Sequence, residues 1–111
     1  MRGGPAFEQA WRAWMHTPAP VENARRRNAQ APAYEAELVM DQLASHVYSL
    51  GLSLQAGERL DYEAVAADRL RNLHGAETLL DDVTLTESRR RPYLRWVEAT
   101  RALLHAIAAA G

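Results

Sequence analysis

Residues 34–59 read YEAELVMDQLASHVYSLGLSLQAGER. In this stretch Leu38, Val39, Leu43, Val47 and Leu50 recur at helical spacing, as expected of an amphipathic helix with one buried face. Gly51 is placed to end the helix in a left-handed cap, and Ser53 to cap the next segment. The turn then delivers a single arginine, Arg59. An arginine fixed just past a capped helix can serve a site that its own chain does not contain.

The same period organises the rest. Phe7, Trp11, Trp14 and Met15 share one face of a short helix that Pro18 must end. Residues 17–32, TPAPVENARRRNAQAP, carry little apolar content and read as an extended connector. A third helix is expected from Asp61, an N-cap residue, through Val65, Leu70 and Leu73 to a stop at His74-Gly75. Residues 76–91 read as loop or short helical turns, because the strand-like run around Val83 and Leu85 has no second strand to pair with. A last helix opens with Pro92 in its first turn and lines up Tyr93, Trp96, Val97, Leu103, Leu104 and Ile107. The expected fold is all-α: a small domain of four to five helices (residues 33–111) preceded by an extended N-terminal arm (residues 1–32). On that arm the aromatics Phe7, Trp11 and Trp14 are expected to pack on a partner, since aromatics dominate binding hot spots.

Composition narrows the chemistry. A chain of 111 residues supports one small domain, and its 48% hydrophobic and 24% charged residues fit a folded protein. With no cysteine there is no disulfide, thiol nucleophile or thiolate metal site in these residues. The four histidines, His16, His46, His74 and His105, share no ligand spacing and are expected on helix surfaces or at caps. Glu35 and Glu37 are two apart and face different sides of a helix, so they are no catalytic carboxylate pair. The runs Arg25-Arg26-Arg27 and Arg89-Arg90-Arg91 lack interleaved stacking residues, and the formal net charge is -1. Salt bridges to a partner protein or a solvated surface are expected of them rather than nucleic acid. The N-terminal residues lack the apolar run of a signal peptide, and no stretch is long enough to cross a bilayer, so a cytoplasmic protein is expected.

The pattern resembles the N-terminal half of the nitrile hydratase β subunit. That region opens with an aromatic-E-x-E element, here Tyr34-Glu35-Ala36-Glu37. It continues to a G-[IVL]-S, here Gly51-Leu52-Ser53, and to an arginine eight residues past the glycine, here Arg59. The family's later Y-Y-x-x-W-L helix is matched by Pro92-Tyr93-Leu94-Arg95-Trp96-Val97, with proline for the first tyrosine, and its R-x-L by Arg101-Ala102-Leu103, one residue early. Trp11-Arg12-Ala13-Trp14 through Pro18 is similar to the arm of thiocyanate hydrolase, a relative with a split β region.

The resemblance implies a non-metal β-type subunit of a hetero-oligomeric nitrile hydratase, which is a lyase hydrating a nitrile to an amide and inactive as this chain alone. Its low-spin cobalt or non-haem iron would sit in a partner α-type subunit with a cysteine claw, and this chain would hold no metal. A further partner would supply the β-barrel C-terminal half, which has no counterpart here. Arg59 would hydrogen-bond the oxidised cysteine ligands of the partner. Tyr93 and Trp96 would border the substrate pocket, and Tyr34 and Glu37 would join Phe7, Trp11 and Trp14 at the interface. The alternatives are a nitrile hydratase activator acting as a metallochaperone-like assembly protein, and a thiocyanate hydrolase-type subunit. No nucleic acid or membrane partner is implied.

Overall fold

The computed structural model describes residues 3–111, and these form helices with no strand among them: α1 (Gly4–Met15), α2 (Glu22–Arg25), α3 (Tyr34–Ala56), α4 (Tyr62–Asp81) and α5 (Glu87–Ala110). The expected all-α architecture is what is found. α3, α4 and α5 form an antiparallel up-and-down set joined by short loops. Gly111 at the end of α5 lies against Tyr62 at the start of α4, and Arg90 near the start of α5 reaches the carbonyl of Leu80 at the end of α4. α1 lies along α5 and against α3, and the body is 42 Å long and about half as wide (22 × 21 Å).

The N-terminal stretch is not an extended arm. Phe7, Trp11 and Trp14 are buried and share one core with Met40, Leu103 and Ile107. α1 is short and amphipathic, and it has its own chain's bundle to cover that apolar face. The connector also holds the single turn α2, whose Ala24 is buried.

α3 runs past Gly51 to Ala56. Gly51 is buried mid-helix because the Trp11 ring lies on it; a Cβ there would stand 2.1 Å from Trp11 Cζ3. The cap is Gly57, with φ 74°; its N–H bonds the carbonyl of Leu54, and the Glu58 N–H bonds that of Ser53. This paired closure of the last turn is the common glycine-ended form. It places Ser53 inside the helix rather than at a new start. Leu38, expected in the core stripe, is 40% exposed; Ala36, Met40, Leu43, Val47, Leu50 and Leu54 make that stripe.

Asp61 caps α4 as expected, its side chain accepting from the Ala64 N–H at 3.1 Å. The helix does not stop at His74-Gly75 but continues to Asp81, carrying Ala76 and Leu80 into the core. Burial of those two side chains outweighs the roughly 1 kcal/mol that a helical glycine costs. α5 begins at Glu87, not at Pro92. Thr86 is the N-cap and accepts from Arg89 N–H at 3.3 Å. Pro92 therefore lies inside the helix, where it brings no N–H to the carbonyl of Ser88.

Candidate functional site

The most densely bonded polar side chain among the described residues is Glu37, in the first turn of α3, with 1% of its surface exposed. Its Oε1 accepts from the backbone N–H groups of Asn23 (2.9 Å) and Ala24 (3.3 Å). Its Oε2 accepts from Asn23 Nδ2 (2.9 Å) and from the Tyr93 hydroxyl (2.6 Å). No cationic side chain among the described residues pairs with it. The charge is held by four hydrogen-bond donors, two of them N–H groups at the start of α2 that have no partner within so short a helix. Glu37 thus fastens α2 and α5 to α3. Burial pushes the Tyr93 phenol well above its ordinary 10.0, and the adjoining Glu37 carboxylate pushes it further. The phenol remains a committed donor rather than a nucleophile. Tyr93, Asn23 and Arg89 border a surface recess of about 410 Å³ that also includes Pro20, Pro32 and Pro92.

Arg59 lies on the five-residue turn between α3 and α4, two residues past the Gly57 cap, and it is exposed. Like those of Arg27, Arg89 and Arg95, its guanidinium has no hydrogen bond or ion pair among the described residues, whereas Arg12, Arg25, Arg26, Arg69, Arg71, Arg91 and Arg101 all pair with carboxylates. A guanidinium stays charged and offers a planar donor fork matched to paired anionic oxygens.

The remaining residues expected at a site are dispersed. Glu37 and Arg59 flank α3, so Tyr93 and Arg59 are separated by roughly 30 Å of helix at 1.5 Å per residue. They do not line one pocket in this chain. Trp96 is 1% exposed and packs in the core, so it borders no substrate space. Tyr34 is half-buried at the start of α3, beside a recess edged by Glu35 and Asp82. Phe7, Trp11 and Trp14 are engaged internally. Trp11 stands between Phe7 (5.9 Å) and Tyr48 (5.7 Å), and Trp14 Nε1 donates to the buried Thr100 hydroxyl at 2.9 Å.

The two arginine runs divide by role. Arg25 meets Asp41 at 3.3 Å and Arg26 meets Glu22 at 2.6 Å, while Arg27, two residues past the end of α2, has a positive φ of 55°. Arg90 turns inward and donates to the carbonyls of Leu80 (3.1 Å) and Val83 (2.8 Å), closing the end of α4. Arg91 pairs with Glu87 within the helix. Arg89 faces the recess.

The sequence places Glu37 at a partner interface and Arg90 in a partner-facing or solvated run, but Glu37 is buried under its donors and Arg90 turns inward; Asn23 and Thr100 are missed altogether. A signal for Glu37 is present: it stands three residues before Met40, on the apolar stripe of α3. A carboxylate on a buried stripe requires several donors. No group of three or more His, Asp or Glu gathers as a metal site among the described residues, and no helix there is long and apolar enough to cross a membrane.

Fold and site together define an all-α bundle with a buried carboxylate hub and, on an end turn, an arginine without a partner among the described residues. No family model, curated protein or solved structure matches the chain.

Proposed function

We propose that this chain is a non-metal β-type subunit of a hetero-oligomeric nitrile hydratase, working in the cytoplasm with a cysteine-claw α-type subunit and a separate barrel subunit. The observation that carries the reading is Arg59: a guanidinium without a partner among the described residues, held two residues past a glycine-capped helix. It is the residue that the resemblance assigns to the partner's oxidised cysteine ligands. The bond from Tyr93 to Glu37 gives secondary support, because it joins two of the sequence elements that carry the resemblance. On this reading Glu37 and Tyr93 maintain the scaffold and Arg59 acts at the shared site, with a bidentate hydrogen bond to anionic oxygens. The cobalt or iron of the partner would supply Lewis-acid chemistry toward the nitrile.

Co-expression with the genes adjoining its own, followed by metal analysis of the purified complex, tests this reading. An equimolar complex containing cobalt or iron, active in amide formation and sharply slowed by Arg59→Lys, is expected. Transient association that loads metal without staying bound would instead identify an activator. Unchanged amide formation by the Arg59→Lys complex would refute the role of that residue.

A further inference from the structure

The recess beside Tyr93 has a twin. A second hollow of about 400 Å³ lies on the other side of Pro92, bordered by His16, Thr17, Pro18 and Arg95. Arg89, Pro92 and Arg95 follow one another at intervals of three along α5, and so form one ridge with an arginine in each hollow and the proline ring between. Neither guanidinium has an ion pair or hydrogen bond among the described residues, even though Glu98 stands only three residues beyond Arg95. No carboxylate among the described residues borders either hollow. Glu37, beneath the first, is buried and covered by its donors. Pro18, Pro20, Pro32 and Pro92 are among the lining residues, and Ser88, at the edge of the first hollow, has a carbonyl that Pro92 leaves without its helical donor.

We propose that this ridge is a docking site for an extended acidic peptide segment of a partner protein. The spacing sets the recognition element. Arg89 and Arg95 are about 9 Å apart along the helix axis. An extended segment in the polyproline II form turns once every three residues and covers about 9 Å in doing so, so side chains three apart share a face. Two carboxylates three residues apart therefore meet the two guanidiniums, with an apolar residue between them over the Pro92 ring. The carbonyl of Ser88 accepts a backbone N–H of the segment. The segment is a protein rather than a nucleic acid because the hollows offer proline rings and no exposed row of aromatic faces on which bases stack. The ridge lies toward the Glu37 side of α3, away from Arg59, and the inference stands whether or not the chain serves a nitrile hydratase.

The test uses the whole chain, isotope-labelled for NMR, titrated with the capped hexapeptide Ala-Asp-Leu-Pro-Asp-Ala. Matched titrations use the same peptide with lysine for aspartate and a six-nucleotide oligothymidylate. The acidic peptide is expected to shift the resonances of His16, Ser88, Arg89 and Arg95, and to bind more weakly as salt is raised. Arg89→Gln and Arg95→Gln should each weaken binding about three- to fivefold, and the double variant roughly tenfold, with helix content unchanged by circular dichroism. No binding by the acidic peptide, equal binding by the lysine peptide, stronger binding by oligothymidylate, or undiminished binding by the double variant would each overturn the proposal.

Discussion

The hydroxyl of Tyr93 donates a 2.6 Å hydrogen bond to Oε2 of Glu37, linking residues 56 positions apart in the chain. The link is a closure device, because Glu37 simultaneously holds the start of α2 through Asn23 and Ala24. A hydrogen bond to a charged group contributes about 1.5–3 kcal/mol. Tyr93→Phe should therefore lower the unfolding free energy by about that amount in urea denaturation while the helices persist. A loss below about 0.5 kcal/mol would mean that the carboxylate does not depend on the phenol.

The same bond gives the protein an alkaline limit. Folding raises the Tyr93 phenol above its ordinary 10.0, first by burial and then through Glu37. The folded state therefore keeps this proton at a pH where the unfolded chain releases it, so the contribution is complete below pH 10 and falls as pH rises beyond it. Tyr62 acts in the same direction, raised by burial and by the nearby Glu58. Unfolding followed from about pH 8 to about pH 11.5 should show stability falling above about pH 10, with a shallower fall in Tyr93→Phe. Identical slopes in the two proteins would show that Tyr93 does not control the limit.

Two glycines in long helices should respond in opposite senses to alanine. Gly75 is exposed in α4, and a Cβ added there would meet nothing within 4 Å, so Gly75→Ala should stabilise by about 0.5–1 kcal/mol through backbone entropy. Gly51 gains the same propensity, but its new methyl group would meet Trp11 at 2.1 Å. Displacing that ring from between Phe7 and Tyr48 should make Gly51→Ala net destabilising, by about 1–3 kcal/mol. Thermal melts of the two variants, with Trp fluorescence as a second probe, decide the matter. A stabilised Gly51→Ala protein would mean that α1 can move away at little cost.

Thr100 accepts the indole N–H of Trp14 deep in the core. Thr100→Val preserves the shape and removes the acceptor, leaving a buried donor unpaired, at an expected cost of about 1–3 kcal/mol. Trp14→Phe combined with Thr100→Val should recover part of that loss, because no orphan donor remains. A double variant less stable than the sum of the two single changes would assign the effect to packing instead.

The fold class is legible because helical periodicity depends on which residues are apolar, and it survives every boundary error. The boundaries themselves mislead where glycine and proline have two uses. Gly51 reads as a stop because a glycine can cap, but it provides room for Trp11, and the cap lies six residues later at Gly57. Pro92 reads as a start, although Thr86 and Glu87 already open α5. The burial of α1 is illegible for a different reason: an amphipathic helix shows that it needs a partner surface, not whether that surface belongs to the same chain. Asn23 and Arg90 serve through contacts set by how the helices pack, which no local spacing encodes.

The run Arg89-Arg90-Arg91 tests how far identical neighbours differ. Arg90 alone of the three turns inward, donating to the carbonyls of Leu80 and Val83 at the end of α4, where helix carbonyls lack internal partners. Arg90→Ala should therefore destabilise by about 1–2 kcal/mol. Arg91→Ala removes only an exposed pair with Glu87, and Arg89→Ala removes a side chain with no ion pair among the described residues, so each should stay within about 0.5 kcal/mol of the parent. Three parallel urea titrations measure the differences. Equal effects at all three positions would mean that the run acts through its summed charge. A loss confined to Arg90 would assign it to the closing of α4.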